Sequence, residues 1–316
     1  MSTVPALHAS GLRKRYGELD ALDGFDLSVA PGTIHGLLGP NGAGKSTAVK
    51  ALSTLIALDD GTAQVGGHDV RANPHLVRTS IGLVGQNAAV DEILGGRQNL
   101  VMFGRLFGLT KAVARVRADE LLEEFDLVEA SARPVSTYSG GMRRRLDIAA
   151  SLILTPAVLF LDEPTTGLDP RARNEVWRSV REIASRGTTV LLTTQYLDEA
   201  DQLASQISVM DRGRVIAEGT ADELKRQLGG DRVTITVPGD ASPTRVSELL
   251  AAAIGGDVIA DGDARTVTVH AGAGVTVLAE IVRVLDAANV EPDDLVLRRP
   301  TLDEVFLALT ENGGAR

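Results

Sequence analysis

Gly39-Pro-Asn-Gly-Ala-Gly-Lys-Ser-Thr47 is the stretch that decides the fold of this 316-residue chain. Its glycines and its Lys-Ser pair follow the G-x-x-x-x-G-K-[ST] spacing, in which a tight turn points successive backbone N–H groups at phosphate oxygens. Chance produces this spacing on the order of once in a hundred chains of such a composition. The stretch therefore predicts a loop that binds the phosphates of a nucleotide.

The residue types within this loop indicate separate roles. Glycine permits the dihedral angles and the close backbone approach that a Cβ atom would block. We expect Lys45 to reach the β- and γ-phosphates and the Ser46 hydroxyl to bind Mg²⁺. The predicted nucleotide-binding residues of the loop are Gly39, Asn41, Gly42, Gly44, Lys45, Ser46 and Thr47.

The segments beside the loop predict a strand followed by a helix. Thr33–Leu38 has the composition of a buried strand, and Thr47–Leu58 has a helical pattern whose positive end faces the phosphates. Farther along, the apolar runs Val158–Leu161 and Thr188–Thr193 flank another predicted helix, about Arg171–Arg186. This alternation predicts an α/β fold with a largely parallel sheet and a ligand at the carboxyl ends of its strands.

Two regions depart from the α/β pattern. Leu100, Phe103 and Phe107 recur at helical spacing, which predicts a helical insert over about residues 97–155. Beyond a boundary near Gly229-Gly230, the pattern is strand, helix, two strands, helix and strand. This βαββαβ order is that of a ferredoxin-like domain. A small β-barrel is the alternative, against which the two amphipathic helices count.

Length and composition limit the possible functions. The length favours about two domains. The formal net charge of −10 argues against a nucleic-acid partner, and the lack of cysteine excludes disulfides and thiolate metal sites. Apolar runs stay well below the 18 or so residues of a membrane span. We therefore expect a cytoplasmic protein.

An acidic pair, Asp162 and Glu163, ends the strand that begins at Val158. Phosphoryl transfer needs a group that holds the metal and a group that orients the attacking water. Asp162 suits the first role, through a water molecule on Mg²⁺, and Glu163 suits the second, as general base. An ordinary acidic strand end is the alternative, but the position after a phosphate loop favours the catalytic interpretation.

Ser139-Gly140-Gly141 opens a predicted helix, Met142–Leu154. The N–H groups of a helix N-terminus and a serine hydroxyl form an anion site. A second such site is redundant on one chain unless it faces a different nucleotide. We therefore predict a head-to-tail dimer in which Ser139 and Gly141 of one chain approach the ATP of the other. A plain helix start preceded by glycine is the alternative.

These segments together resemble an ABC-transporter ATP-binding subunit over about residues 5–228. The stretches Thr193-Thr-Gln-Tyr-Leu-Asp-Glu-Ala-Asp201 and Arg299-Pro-Thr-Leu-Asp-Glu-Val-Phe-Leu-Ala-Leu309 resemble the daunorubicin/doxorubicin-resistance group of drug-export ATPases, which has a similar C-terminal extension. The matching segments are, in order, Gly39–Thr47, Gln86, Tyr138–Met142, Leu159–Pro164, Gly167–Asp169 and Thr193–Gln195.

The resemblance implies an architecture, cofactors and partners. It implies an ATP-binding domain over residues 1–228, with a RecA-like core, an antiparallel β subdomain and a helical subdomain (about 87–155), and a C-terminal α+β domain over 231–316. ATP and Mg²⁺ are the implied cofactors. The implied partners are a second copy of the chain and a separate membrane permease, contacted by the segment Asn87–Phe107 at the cytoplasmic face of the membrane. The implied role is efflux of a hydrophobic drug or antibiotic, and hence resistance.

Three residues receive a role only through the resemblance. Tyr16 matches the aromatic residue that stacks on adenine, and Gln86 matches the residue that binds Mg²⁺ or the attacking water. Asp169 matches the residue that contacts the opposite subunit. Without the resemblance, Tyr16 is a surface tyrosine, Gln86 is a loop residue and Asp169 is a helix N-cap.

The chain also departs from the broader family. Tyr138 and Met142 stand where Leu and Gln are usual, and Gln195 stands where most relatives have a histidine that contacts the γ-phosphate. A glutamine amide donates the same hydrogen bond but carries no positive charge. We therefore expect Gln195 to act beside Glu163 and Gln86 in catalysis, with a slow basal turnover.

Two other classes of function compete with an exporter ATPase. Soluble ABC ATPases acting on ribosomes or damaged DNA usually carry two cassettes, zinc or basic inserts, whereas this chain has one cassette and excess acid. The run Arg143–Arg145 spreads over several faces of a helix, so we expect solvated or intramolecularly paired arginines. A P-loop kinase or GTPase is disfavoured by the Ser-Gly-Gly segment and by the lack of an Asn-Lys-x-Asp motif.

Overall fold

The chain divides into two compact units, Met1–Thr220 and Ala221–Arg316. The computed structural model describes residues 4–226, 231–239, 241–255, 258–271, 275–298 and 301–306. The predicted boundary near Gly229-Gly230 lies outside these residues, and the predicted domain limits at 228 and 231 stay predictions.

The first unit alternates strands and helices. Its strands are β1 (Leu7–Tyr16), β2 (Leu19–Val29), β3 (Ile34–Leu38), β4 (Asp60–Val65), β5 (His68–Asp69), β6 (Ile81–Val84), β7 (Val158–Asp162), β8 (Thr189–Thr194), β9 (Gln206–Asp211) and β10 (Arg214–Gly219). Its helices are α1 (Lys45–Leu52), α2 (Pro74–Ser80), α3 (Gly96–Leu106), α4 (Lys111–Glu124), α5 (Gly140–Ser151), α6 (Pro170–Ser185) and α7 (Leu197–Leu203). Helices α2 and α7 are not predicted from the sequence.

A six-stranded sheet in the order β10-β9-β3-β8-β7-β6 carries the phosphate loop. Its strands are parallel except for β10, which forms an edge hairpin with β9. Every residue of β3, β7 and β8 is buried, as expected for parallel strands covered on both faces. The loop and the acidic pair follow β3 and β7, so both lie at the carboxyl edge of this sheet. The predicted α/β fold is confirmed.

A second, antiparallel sheet has the order β2-β1-β4-β5. One apolar core joins it to the parallel sheet through α1: Phe25 of β2, Val49 and Leu52 of α1 and Phe160 of β7 belong to the same buried cluster. Helix α1 is therefore fixed on two sides by packing, which holds the phosphate loop at its N-terminus in place.

Helix α1 differs in length from the prediction Thr47–Leu58, because it spans Lys45–Leu52. Thr54 has a positive φ of 63°. The Leu55 N–H donates to the carbonyl of Lys50 at 2.8 Å. This pattern of a left-handed residue followed by a back-reaching N–H is a helix-terminating motif that threonine rarely supplies. The apolar residues beyond it mimic a continuing helix in the sequence.

The predicted helical insert contains α3, α4 and α5. Leu100, Phe125 and Leu146 are fully or almost fully buried in its core, together with Leu121 and Leu122. Phe107, by contrast, is 49% exposed, although it continues the apolar spacing of α3. It lies one residue beyond the end of that helix. The helical periodicity that places the apolar residues of α3 in the core therefore no longer applies to it.

The second unit is ferredoxin-like. Its elements are α8 (Ala221–Arg226), β11 (Asp231–Thr236), α9 (Pro243–Ile254), β12 (Val258–Asp261), β13 (Thr266–Ala271), α10 (Val275–Ala287) and β14 (Asp294–Arg298). The strands form one antiparallel sheet in the order β12-β13-β11-β14. This order places the first and third strands of the βαββαβ unit at the centre. The ferredoxin-like interpretation is confirmed and the small β-barrel is wrong.

His35 is a buried titratable residue in the middle of the parallel sheet. It is 1% exposed, and its Nε2 lies 2.8 Å from the Ser208 hydroxyl of β9. Burial lowers the pKa of His35 to about 4, because the charged imidazolium is poorly solvated there. The folded state therefore holds a neutral imidazole.

Acid should destabilise the first unit through His35. The unfolded chain, with an ordinary histidine pKa near 6.5, binds this proton before the folded chain does. Stability should thus fall as the pH drops below about 6.5 and level off near 4, for a total of about 3 kcal/mol. Denaturant unfolding across this pH range measures the slope. His35→Asn should flatten it, the exposed His75→Asn should not, and equal slopes in both variants would contradict the assignment.

Candidate active site

The phosphate loop, residues 39–44, joins β3 to α1 in a space that admits no side chain at two positions. A Cβ atom on Gly44 would lie 2.3 Å from the Ala21 carbonyl oxygen, and one on Gly39 would lie 2.4 Å from the Met210 carbonyl oxygen. Gly42 and Gly44 also have positive φ angles of 84° and 107°. The loop therefore requires glycine for close packing as well as for conformation.

Gly44→Ala should destabilise the chain more than Gly42→Ala does. Alanine at 44 collides with backbone and with the Met210 side chain, whereas nothing lies within 4 Å of the Cβ position at Gly42. We expect a loss of at least about 2 kcal/mol for Gly44→Ala, against about 1 kcal/mol of backbone strain for Gly42→Ala. Denaturant unfolding without nucleotide measures both, and equal losses would contradict the steric argument.

Lys45, the first residue of α1, is enclosed by the loop it follows. The side chain is 4% exposed, and Nζ donates to the carbonyls of Gly39 at 2.7 Å and Pro40 at 3.1 Å. It also lies 3.8 Å from Oε1 of Glu163. Burial lowers the pKa of Lys45, while the carboxylates of Glu163 and Asp162 oppose this shift. Asn41 and Thr47 lie on either side, in the exposed loop and in the first turn of α1.

Asp162, at the end of β7, belongs to a hydrogen-bonded group with one side chain each from α1, β8 and the segment after β6. Its Oδ1 accepts a hydrogen bond from the Ser46 hydroxyl at 3.1 Å and one from the Thr193 hydroxyl at 2.5 Å. The Gln86 amide nitrogen lies 3.4 Å from the Ser46 hydroxyl oxygen. The structure thus brings Ser46, Gln86 and Asp162, the three predicted metal-binding residues, to one point. Thr193 is an addition that sequence analysis did not assign.

The chemistry of this group suits Mg²⁺. Hydroxyl, amide and carboxylate oxygens are hard ligands, and Mg²⁺ commonly takes one or two protein ligands and completes its shell with phosphates and water. In the described part of the chain, no cluster of three or more His, Cys, Asp or Glu side chains could hold a metal by itself. The oxygen atoms of Ser46, Gln86 and Asp162 are therefore of the type that Mg²⁺ prefers.

Glu163 is held in an unusual backbone conformation beside this group. Its φ is +48°, and its N–H donates to the carbonyl and to the hydroxyl of Thr193, at 3.1 and 3.2 Å. The carboxylate is 12% exposed and accepts a 3.4 Å hydrogen bond from the Thr166 hydroxyl. A positive φ costs a residue without glycine's freedom about 1 kcal/mol or more, so contacts with β8 maintain this conformation.

The Ser-Gly-Gly segment opens α5, and its Gly140 lines a cavity that Gln86 and Glu163 also line. Ser139 is the N-cap of α5, and its exposed hydroxyl accepts the N–H of Met142 at 3.2 Å. A Cβ atom on Gly141 would lie 2.7 Å from the Cβ of Ala172, and Asp169 caps α6 by accepting the Ala172 N–H at 3.0 Å. Among the described residues, no hydrogen bond connects Ser139, Gly141 or Asp169 to the phosphate loop.

Tyr138 explains one departure from the usual motif. It is 6% exposed, and its hydroxyl donates to the Ala130 carbonyl at 2.7 Å. A Cβ atom on Gly96 would lie 2.5 Å from that hydroxyl oxygen. Tyrosine at this position thus ties the start of α5 to the start of α3, which a leucine would contact through apolar atoms alone. Burial raises the pKa of Tyr138, so the phenol stays protonated.

Tyr16 and Gln195 are the remaining predicted site residues, and among the described residues neither side chain has a hydrogen bond to the Asp162 group. Tyr16 ends β1, is 47% exposed, and has the Lys14 ammonium 5.6 Å from its ring centroid. Gln195 follows β8 and is half-buried. Its side chain has no hydrogen-bond partner among the described residues, which leaves the amide available to a ligand.

Comparison with known proteins gives the family. The family model for "ABC transporter" matches residues 22–166. The chain is 59% identical to the daunorubicin resistance ATP-binding protein DrrA2 of Streptomyces coeruleorubidus, over 96% of this chain and 95% of that protein. It is 52% identical to the daunorubicin/doxorubicin resistance ATP-binding protein DrrA of Streptomyces peucetius, over 98% and 94% of the two chains.

Comparison with solved structures supports the same family. A solved ATP-binding subunit of an ABC transporter matches with a TM-score of 0.63 and 28% identity, over 71% of this chain and 93% of that one. Since the sequence similarity extends over nearly the full length of both chains, this protein belongs to the ABC-transporter ATP-binding proteins, in the daunorubicin/doxorubicin-resistance group.

Proposed function

We propose that this chain hydrolyses Mg²⁺-bound ATP to power the export of a hydrophobic drug through a permease on a separate chain. The observation that carries the proposal is the convergence of Ser46, Gln86, Asp162 and Glu163 at the carboxyl edge of the parallel sheet, directly beside the phosphate loop. This arrangement supplies what phosphoryl transfer needs, namely a phosphate cradle, metal ligands and a base.

Each group acts on a different part of the nucleotide. The loop N–H groups and the ammonium of Lys45 bind the phosphates, for which Lys45 exchanges its bonds to the loop carbonyls. Ser46 and Asp162, with Gln86, would hold Mg²⁺, which neutralises charge that develops on the phosphates. Glu163 accepts a proton from the attacking water as the water oxygen bonds to the γ-phosphorus and the bond to ADP breaks.

The site requires a second chain. Ser139 and Asp169 are exposed, and α5 presents its N-terminus without contacting its own phosphate loop. In a head-to-tail pair, Ser139 and Gly141 of one chain bind the γ-phosphate held by the other chain, and Asp169 contacts the opposite subunit. Tyr16, half-exposed at the end of β1, stacks on adenine, a contact worth roughly 1–3 kcal/mol.

Gln195→His should raise basal ATP turnover about fivefold, because a hydrogen bond from a protonated imidazole to a phosphate is about 1 kcal/mol stronger than one from an amide. Steady-state hydrolysis with saturating ATP measures the change. Gln202→His on the exposed side of α7 serves as control and should leave turnover unchanged. Unchanged hydrolysis in Gln195→His would remove Gln195 from the site.

The segment Asn87–Phe107 of the helical insert would contact the permease. Ile93, Leu106 and Phe107 are 85%, 73% and 49% exposed within the segment Asn87–Phe107, so this segment offers apolar side chains to a partner. No helix in the described part of the chain is long and apolar enough to cross a membrane. As in the family to which it belongs, the chain would act at the cytoplasmic face of the membrane, on a separate permease. The acidic net charge of −10 disfavours a nucleic-acid partner.

The names of the relatives support a drug as cargo. Two of them are resistance proteins for daunorubicin or doxorubicin. The nucleotide site does not contact cargo, so the cargo class follows from this similarity alone. Antibiotic resistance through efflux is the corresponding biological role.

Capture of a tagged Glu163→Gln chain from detergent-solubilised native membranes tests the proposal. With Mg-ATP, a membrane protein without its own ATP-binding cassette should co-purify, and mass spectrometry identifies it. The Lys45→Met chain, which should not close around ATP, controls for non-specific capture. Recovery of ribosomal or DNA-repair proteins instead would favour the second candidate, a soluble ABC ATPase.

A further inference from the structure

The arginine run on α5 has an inner member, Arg144, that the nucleotide site leaves unexplained. Arg144 is 7% exposed, and a guanidinium at this depth needs full hydrogen bonding to offset its lost hydration. Of the two alternatives that the sequence leaves for this run, solvated or intramolecularly paired arginines, the structure shows pairing. Arg143 pairs with Glu92 at 2.8 Å, and Arg145 donates to the Phe125 carbonyl at 2.8 Å.

The guanidinium of Arg144 joins the ends of the adjacent strands β6 and β7. Its Nε donates to the Pro164 carbonyl at 2.8 Å and its Nη2 to the Asp162 carbonyl at 3.2 Å, which are the residues on either side of the general base. Its Nη1 donates to the Gly85 carbonyl at 2.6 Å, directly before Gln86. The guanidinium of Arg144 thus sets the distance between the segment that carries Gln86 and the segment that carries Glu163.

Asp147, one turn farther along α5, completes this connection. Its Oδ2 lies 3.4 Å from Nη1 of Arg144, and its Oδ1 accepts the N–H of Ala89 at 2.9 Å. Gly85 and Ala89 bracket Gln86, so the pair holds both ends of that turn. Burial raises the pKa of Asp147 and lowers the pKa of Arg144, and the charge of each partner opposes the other's shift.

We propose that Arg144 and Asp147 form a positioning pair that fixes the Gln86 turn against the strand end carrying Asp162 and Glu163. The inference rests on the proposed function, because it assigns the pair to the hydrolysis step. In the described part of the chain, neither side chain bonds to the phosphate loop. The pair therefore sets turnover rather than ATP affinity.

Arg144→Met should lower kcat about a hundredfold, the effect expected when catalytic groups shift by about an ångström. Binding of a fluorescent ATP analogue should remain unchanged. Asp147→Ala should lower kcat as well and should speed hydrogen exchange in residues 86–90 of the nucleotide-free chain, because the Ala89 N–H loses its acceptor. Asp147→Asn keeps an acceptor oxygen and should retain most of the turnover.

Arg145→Met is the matched control. Arg145 is the next residue of the same helix and is equally buried, at 7% exposed. It bonds to Phe125 and lies 3.5 Å from Glu175, away from the Gln86 turn. Its loss should cost stability without changing kcat per folded molecule or exchange in residues 86–90.

Different results would refute the role of the Arg144–Asp147 pair and the proposed ATPase function. Full turnover in Arg144→Met, a parallel loss of ATP binding, or an equal loss of kcat in Arg145→Met would each overturn the pair. If Arg144→Met does not fold, the comparison of Asp147→Ala with Asp147→Asn decides in its place. If the wild-type chain does not hydrolyse ATP, the proposed function fails, and the exchange measurement still tests whether the pair holds the turn.

Discussion

Glu163→Gln should reduce ATP turnover by at least about a hundredfold while ATP affinity remains, because a positioned general base contributes about 10²–10⁴ to a rate. Glutamine has nearly the same shape and can still accept the Thr166 hydrogen bond that Glu163 accepts at 3.4 Å. Its amide does not take a proton from water. The substitution therefore removes the base and leaves the phosphate loop and the Asp162 group in place.

Paired measurements of hydrolysis and nucleotide binding check this result. Glu129→Gln, an exposed carboxylate in the helical insert, controls for the loss of one negative charge and should change neither. Turnover near the wild-type value in Glu163→Gln would mean that another group activates the water. A parallel loss of ATP binding would mean that the carboxylate shapes the loop, to which it is linked through Lys45 at 3.8 Å.

Lys45→Met should weaken ATP binding roughly thirtyfold, since a charge-assisted hydrogen bond to phosphate contributes about 2 kcal/mol. Methionine fills a similar volume but cannot donate, and Lys45 is the only charged residue among residues 39–47. Equilibrium titration with a fluorescent ATP analogue measures the change.

Lys50→Met is the matched control for this substitution. Lys50 lies on the same helix but is exposed, and it should leave ATP affinity unchanged. Equal affinities of Lys45→Met and the wild-type chain would show that the backbone N–H groups alone bind the phosphates.

Local patterns in the sequence predict much of the fold. The loop Gly39–Thr47 can be recognised because each glycine meets a local requirement. Backbone contacts impose glycine at Gly39 and Gly44, and a positive φ favours it at Gly42. The ferredoxin-like unit is also predictable, because its two helices and four strands have clear apolar periodicities with short connections. The length of α1 is not, since its end depends on the left-handed conformation of Thr54.

The candidate site is predictable where a residue acts on the nucleotide and unpredictable where it acts on another residue. Ser46, Asp162 and Glu163 belong to short motifs with a known spacing. Thr193 bonds to the Asp162 carboxylate from 31 positions farther along the chain. Arg144 bonds to the Asp162 carbonyl from 18 positions before it. No local sequence pattern encodes such distant contacts. The arginine run predicts solvated or intramolecularly paired side chains, but not the burial of Arg144 or the groups it contacts.

The molar mass of the Glu163→Gln chain with and without Mg-ATP tests most directly whether ATP joins two chains into one catalytic unit. Light scattering should show the mass of one chain without nucleotide and of two chains with it, since trapped ATP bridges each phosphate loop to the partner's Ser139 segment. The double variant Glu163→Gln/Lys45→Met should need about thirtyfold more Mg-ATP to reach the mass of two chains. A single-chain mass with saturating Mg-ATP would contradict the account.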